Sequence, residues 1–369
     1  MYYSFSIKKL YIPRIFKLLV YILGFFVALQ VTILSFKSLN SQIITPISIA
    51  TSNPFIALFI GILSTALLQS STTVTSTIVA AVAAGMLHPH NAVYIVMGAN
   101  IGTTVTSTIV SLGHIMRKKE FRRAFAAATL HDFFNILTTF ILFPLEYFFH
   151  ILSYLAKFFA QSFNFLSDSG IGNVVNPIKI WLEPLLQNIY TLLGGWAWVS
   201  LLLAFLALGL IIRGMASAFK QSLQENFVGV WEKYLFGSPL QSLFSGIIVT
   251  AFIHSSSLVT SLVVPIVASN RLSVKKSFPF LMGANIGTTV TALLASISQS
   301  ESALQIALTH VFFNVIGVLI LFPIPFLRNI PIWLARKLGK LVIKNRLLGL
   351  LYITIIFFIF PFLLIWLSR

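Results

Sequence analysis

The sequence predicts an all-α polytopic membrane protein made of two inverted-topology repeats, each with a re-entrant helical hairpin and a broken transmembrane helix. Three observations predict it. Of the 369 residues, 57% are hydrophobic and 9% charged, with a mean hydropathy of +0.94. The apolar residues form seven continuous runs, each long enough for a helix to cross a hydrocarbon core of ~30 Å. A ten-residue string occurs twice, 185 residues apart, each time after a long apolar stretch with a polar centre.

The composition excludes a soluble enzyme, a disordered chain and a coiled coil, because a soluble surface takes about 25% charged residues. The apolar runs are continuous rather than alternating, which disfavours a β-barrel. Lys and Arg number 25 against 8 Asp and Glu, a net charge of +17. In a membrane chain this excess marks the cytoplasmic face, so no nucleic-acid partner is expected. With no Cys, disulfides, thiolate metal sites and a cysteine nucleophile are excluded.

The seven spans fall near Arg14–Phe36, Asn91–Ile115, Arg122–Phe149, Ile189–Ile212, Lys275–Ser298, Ser302–Phe322 and Leu347–Leu367. The first is too long and too weakly terminated for a cleaved signal peptide. Two further stretches, Pro54–Gly85 and Pro239–Ser269, are interrupted by Gln69-Ser70-Ser71-Thr72-Thr73 and by His254-Ser255-Ser256-Ser257. A straight helix of that length overshoots the bilayer, so each is read as a hairpin entering and leaving by one face. With the N-terminus in the cytoplasm, 21 of the 25 basic residues lie inside, and the opposite threading reverses the ratio. The chain divides into an N-terminal span and linker (1–53), a first repeat of hairpin plus two spans (54–152), and a connecting loop, span and interfacial segment (153–238). A second repeat (239–325) and an interfacial segment with the last span (326–369) follow.

Met97 to Thr106 recurs unchanged as Met282 to Thr291, and Val74-Thr75-Ser76 matches Val259-Thr260-Ser261 at the same offset. His131-Asp132-Phe133-Phe134-Asn135 matches His310-Val311-Phe312-Phe313-Asn314, and Phe143-Pro144 matches Phe322-Pro323. An odd number of spans separates the hairpins, which inverts the second copy. Inverted repeats with broken helices are an architecture of secondary transporters that bind substrate near the bilayer midplane.

A single transmembrane Ser or Thr bonds back to its own helix. Adjacent polar residues at Gln69, Ser70, Ser71 and Thr72, and at Ser255, Ser256 and Ser257, are too many for that, and unpaired they cost several kcal/mol each. The break also exposes the N-terminus of the second half-helix, whose N–H groups favour an anion. Two such ends facing each other make a pocket for one oxyanion without a nearby Lys or Arg. Asn285, Thr288 and Thr291 share a helix face, as do Asn100, Thr103 and Thr104. Hard oxygen ligands without a carboxylate suit Na⁺. The glycines alongside have two readings: they loosen the helix and free carbonyls for that ion, or they permit close helix packing. Asp132 is the acidic residue well inside a span and a functional candidate on that ground. His88 and His90 read as surface loop residues. A serine hydrolase using His131 or His310 with Asp132 is set aside, since Gly-x-Ser-x-Gly and His-Glu-x-x-His are missing. Neither an enzyme activity nor a cofactor is expected, and a channel does not need opposed hairpins.

On these residues the chain resembles the type II sodium-dependent phosphate cotransporters. The likeness is carried by Gln69-Ser70-Ser71, Met97 to Thr106, Glu120 to Ala126, His131 to Asn135, Gly283 to Thr291 and Gln305 to Asn314. It implies Na⁺-coupled uptake of inorganic phosphate across the plasma membrane (the inner membrane if bacterial) by alternating access. Transfer of another oxyanion, or coupling to protons, is the alternative. By the resemblance, Gln69, Ser70, Ser71, Thr72, Ser255, Ser256 and Ser257 surround phosphate and Na⁺, and the second-repeat Na⁺ ligands are Ser255, Thr288 and Thr291. Electrogenic relatives carry an Asp at the position of Asp132, which implies electrogenic transport of divalent phosphate. The partners implied are phosphate, Na⁺ and the lipid bilayer, with a homodimer left open. Three departures stand out. His254 replaces a Gln, and a neutral imidazole binds Na⁺ poorly. The link near Ser153 to Asn188 is short and lacks Cys, and the chain stops one span early, in keeping with an external C-terminus.

Overall fold

The computed structural model describes residues 8–39, 49–168, 196–224, 235–297 and 299–367, with positions 184, 186, 188 and 191. Among the described residues the regular structure is helical. In chain order the helices are α1 (Lys8–Ser38), α2 (Pro54–Leu68), α3 (Ser71–Ala83), α4 (Pro89–Gly102), α5 (Val105–Leu112), α6 (Lys118–Phe149) and α7 (Ile151–Asp168). They continue as α8 (Ala197–Gln224), α9 (Pro239–Ile253), α10 (Ser256–Ala268), α11 (Val274–Ser296), α12 (Glu301–Leu321), α13 (Pro325–Lys344), α14 (Leu347–Thr354) and α15 (Phe360–Leu367).

Seven helical stretches are long and apolar enough to cross a membrane: Val20–Ser38, Pro89–Leu112, Lys118–Phe149, Ala197–Ser217, Val274–Ser296, Glu301–Leu321 and Leu347–Leu367. The chain is a multi-pass membrane protein. The expected start of the fourth span, Ile189, lies outside the described residues. The two interrupted stretches are helix pairs, α2 with α3 and α9 with α10, each helix too short to span. In the last span a π-helical turn (Ile355–Ile359) joins α14 to α15 just before Pro361. Proline has no N–H to give to the preceding turn, and the turn widens to accommodate it.

Between helices in a bilayer, close approach replaces hydrophobic drive, and here glycine sets it. A Cβ on Gly61 would stand 2.1 Å from Ile95 O, and one on Gly98 would stand 1.9 Å from Leu58 O. The second copy repeats the approach: a Cβ on Gly246 would stand 2.2 Å from Phe280 O, and one on Gly283 would stand 2.0 Å from Leu243 O. So α2 lies on α4, and α9 on α11, backbone to backbone. The glycines of the duplicated string are there for packing, the second of the two readings their sequence left open.

The repeats are interleaved. Helix α3 packs on α11 and α12 of the second repeat, and α10 packs on α5 and α6 of the first. One core accordingly joins Val79, Ala92 and Tyr94 to Ala303, Ile306 and Phe313, and another joins Ala124 and Phe134 to Val263 and Phe278. Helix α1 pairs with α8.

Two expectations need correction. The duplicated string breaks a helix only once. It separates α4 from α5 at Thr103-Thr104, but α11 runs through it unbroken. The cause is a side chain outside the string. Asn135 Nδ2 donates to Asn100 O at 2.6 Å, and the Thr104 N–H turns to Ile101 O at 3.3 Å. The matching residue, Asn314, gives its amide instead to Asn100 Oδ1 and His310 O, so α11 keeps its ladder. The link expected as a loop from Ser153 begins as helix α7, because Ala156 and Ala160 present a smooth face that buries against Leu308 on α12.

Candidate functional site

Each hairpin turns through two residues, and the two turns share one backbone conformation. Gln69 has φ 53°, ψ 29° and His254 has φ 57°, ψ 22°, both left-handed. Ser70 (φ −151°, ψ 95°) and Ser255 (φ −151°, ψ 101°) follow in extended backbone. A left-handed residue with a Cβ costs roughly 1–2 kcal/mol, so the surrounding fold holds both turns against that strain. Each serine then caps the second half-helix. Ser70 Oγ accepts from Thr73 N at 3.2 Å, and Ser255 Oγ accepts from Leu258 N at 3.3 Å. This leaves the N–H groups of Ser71 and Thr72, and of Ser256 and Ser257, without an acceptor among the described residues. All four residues are buried. Each of these helix N-termini therefore presents two open N–H donors, the chemistry that favours an anion.

The structure revises the sequence reading of this region in two respects. The hydroxyls of the first break are largely satisfied within the turn: Ser70 Oγ lies 2.7 Å from Thr73 Oγ1, and Thr77 Oγ1 donates to Thr73 O at 2.9 Å. The open backbone donors, more than surplus hydroxyls, make the anion case. A cation also reaches the break. Arg213 on α8 donates from Nη2 to Leu68 O at 3.2 Å, while Gly209, one turn earlier, packs against Thr73. Charge counting alone assigns Arg213 to a membrane face. Only the packing of α8 along the hairpin shows its reach.

The centre is a reciprocal exchange of polar side chains. Asn100 Oδ1 accepts from His310 Nε2 at 3.3 Å and from Asn314 Nδ2 at 3.1 Å. Asn285 Oδ1 accepts from His131 Nε2, and Asn285 Nδ2 donates to Asn135 Oδ1 at 2.7 Å. Each asparagine of the duplicated string is thus held by the histidine and asparagine of the other repeat. An amide oxygen only accepts, so each ring carries a proton on Nε2. The Nδ1 atoms of both histidines are buried without a partner among the described residues. Asn100 and Asn285, named from sequence as sodium ligands, thus also join the two repeats.

Asp132 is fully buried. Its Oδ2 accepts from Tyr352 OH at 3.0 Å and from Thr108 Oγ1 at 3.4 Å, and its Oδ1 has no hydrogen-bond partner within 3.5 Å among the described residues. A buried carboxylate is costly unless a charge meets it. No described Lys or Arg pairs with it. Tyr352 and Thr108 escaped the sequence reading. Thr108 lies one helical turn beyond Thr104, a usable signal; Tyr352, from the last span, gives none.

The remaining candidates fall in two places. Thr103 and Thr104 sit at the α4–α5 break and donate to Ala99 O and Ile101 O, both at 2.8 Å. Thr288 donates to Ala284 O at 2.9 Å. A hydroxyl that spends its proton this way keeps lone pairs for a cation. Thr291 Oγ1 lies 3.1 Å from His254 Nδ1, which ties the altered motif position to a candidate ion ligand. Ser257 Oγ donates to Thr103 O at 3.3 Å and links the second hairpin to the first repeat's break. None of the hydrogen bonds of Asp132 reaches a hairpin.

A family model described as Na⁺/Pi-cotransporter matches residues 24–161 and 197–356. The chain is 30% identical over 405 residues to the sodium-dependent phosphate transport protein 2B of Homo sapiens, covering 84% of this chain and 58% of that protein. It is 32% identical over 390 residues to the sodium-dependent phosphate transport protein 2A of Rattus norvegicus, covering 86% and 61%. The chain therefore spans about three fifths of the length of these relatives. No solved structure matches it. The matched segments take in both hairpins, the exchanged asparagines and histidines, and Asp132 with Tyr352, and on that footing the chain belongs to the Na⁺/Pi-cotransporter family.

Proposed function

We propose that this protein is a sodium-coupled symporter of inorganic phosphate that works by alternating access, with the N-terminus in the cytoplasm of a plasma membrane (the inner membrane if bacterial). The matched pair of hairpin breaks carries the reading: two capped turns of one conformation, each offering two open N–H donors. A tetrahedral oxyanion with four acceptor oxygens suits two such ends, and Arg213 adds positive charge at the first. The Na⁺/Pi-cotransporter family and the names of the relatives supply the substrate and the coupling ion.

Phosphate is held by Gln69, Ser70, Ser71, Thr72, Ser255, Ser256 and Ser257, with the serines at positions 70 and 255 shaping the helix ends. Na⁺ takes oxygen from Thr103, Thr104, Ser255, Thr288 and Thr291, and Asp132 offers its bare Oδ1 to a cation. If one net positive charge enters per cycle, 100 mV contributes about 2.3 kcal/mol, roughly 50-fold in accumulation. Radiolabelled phosphate uptake into proteoliposomes tests this. Uptake should require a Na⁺ gradient and rise with an inside-negative potential. Uptake that follows K⁺ as well as Na⁺ would overturn sodium coupling, and preferential uptake of sulfate would reassign the anion.

A second reading couples transport to protons, on the observation that the His254 ring engages Thr291 where a sodium ligand is expected. Uptake driven by a proton gradient, and lost in His254→Gln while Na⁺-driven uptake returns, would favour it.

A further inference from the structure

Far from the hairpin breaks, at the opposite end of α6 from the basic run Lys118 to Arg123, three side chains converge from separate elements. His90 is in the first turn of α4, Glu146 in the last turn of α6, and His150 ends that helix in left-handed backbone with φ 53°. One ring nitrogen of each histidine and one carboxylate oxygen lie within 4.8 Å of one another. The two rings stand 4.8 Å apart at 76°. No hydrogen bond joins any two of the three side chains.

Glu146 is fully buried and rigidly held. Its Oε2 accepts from Leu152 N at 2.7 Å and Ser153 N at 3.2 Å, and its Oε1 accepts from the Ser153 hydroxyl. It caps α7 and so fixes the position of the carboxylate. Capping alone does not explain why two imidazoles face a buried carboxylate without bonding to it. Among the described residues no Lys or Arg pairs with Glu146, so its charge lacks a compensating cation.

We propose that His90, Glu146 and His150 bind a divalent transition-metal ion, with Zn²⁺ as the best match. Two imidazoles and one carboxylate are the donor set of open zinc sites, which leave a fourth position to water or another ligand. Bonds of ~2.0–2.1 Å to a tetrahedral ion bring ligand atoms to roughly 3.3 Å of each other, so the three groups must draw in by up to ~1.5 Å. His150 is exposed and free to make that movement. The donors from Leu152 and Ser153 are the outer shell that holds the carboxylate in place. A bound ion would pin the start of α4 to the end of α6, the two helices that carry Asn100 and Asp132. The sequence reading of His90 as a loop surface residue misses this, because its partners are some 56 and 60 positions away.

The test uses tag-free full-length protein in detergent, dialysed against Zn²⁺ and analysed for metal content, with Co²⁺ as a spectroscopic substitute. We expect one equivalent of Zn²⁺ per chain, tetrahedral Co²⁺ absorption bands and a thermal midpoint that rises with Zn²⁺. His90→Ala and His150→Asn should each weaken binding by at least ~10-fold and abolish the Co²⁺ bands, since losses in the outer shell alone cost that much. Asn suits left-handed backbone, so His150→Asn keeps the helix end. His114→Ala, outside the site, should leave binding unchanged. Wild-type protein without stoichiometric Zn²⁺, or unchanged affinity in both site variants, would overturn the proposal whatever the outcome for phosphate.

Discussion

Tyr352 donates its hydroxyl to Asp132 Oδ2 across 220 positions of sequence, at 3.0 Å. The last span therefore reaches into the first repeat and holds one oxygen of a buried carboxylate, while Oδ1 is left bare. In Asp132→Asn we expect the Na⁺-dependent transport current to fall at least ~10-fold, the equivalent of 1.4 kcal/mol, with the protein still folded. An unchanged current would remove Asp132 from the ion path. Tyr352→Phe loses one hydrogen bond to a charged group, about 1.5–3 kcal/mol, which should appear as a lower unfolding midpoint together with weaker Na⁺ dependence.

Gly98→Ala and Gly283→Ala should each fail to give monodisperse protein. The new Cβ would stand 1.9 Å from Leu58 O and 2.0 Å from Leu243 O, and a backbone carbonyl in a helix cannot retreat. Gly209→Ala meets only Thr73 side-chain atoms at 3.8 and 3.9 Å and should fold normally. Size-exclusion profiles in detergent separate the two outcomes.

The exchanged pairs should be energetically coupled. A double-mutant cycle between His131→Ala and Asn285→Ala, read by thermal or denaturant unfolding, is expected to give an interaction of about 1 kcal/mol, typical of bonds between membrane helices. The cycle between His310→Ala and Asn100→Ala should give a similar value. Strict additivity in both would mean that the bonds contribute nothing to cohesion.

Arg213→Gln should raise the KM for phosphate several-fold while leaving the unfolding free energy within about 0.5 kcal/mol, since the side chain is exposed. A loss of maximal rate at unchanged KM would assign Arg213 to the movement of α8 instead of to anion attraction.

The hairpins were legible because a run of polar residues inside an apolar stretch is costly in a bilayer unless the chain turns there and buries the break. Both turns do fall at the interruption, on Gln69-Ser70 and His254-Ser255. The duplication was legible from identity alone. The unequal fate of the two identical strings was not, because Asn135 and Asn314, outside them, decide it through different acceptors. Candidate ligands were chosen by residue type, and type does not reveal partners: that Asn100 and Asn285 are bonded to His310 and His131 is seen only in the fold. Arg213 and Tyr352 depend on contacts across 145 and 220 positions, and helical periodicity is silent about such pairs.

The reciprocal asparagine–histidine bonds also set a timetable for biosynthesis. Asn285 follows His131 by 154 positions and His310 follows Asn100 by 210. At about 5–20 residues per second, the first half waits in the bilayer for roughly ten to forty seconds with its buried asparagine and histidine unmatched. A ribosome that stalls between the halves leaves a membrane-embedded fragment with exposed polar groups, the kind of product that quality control removes. Completion of the second half both doubles the architecture and relieves the first.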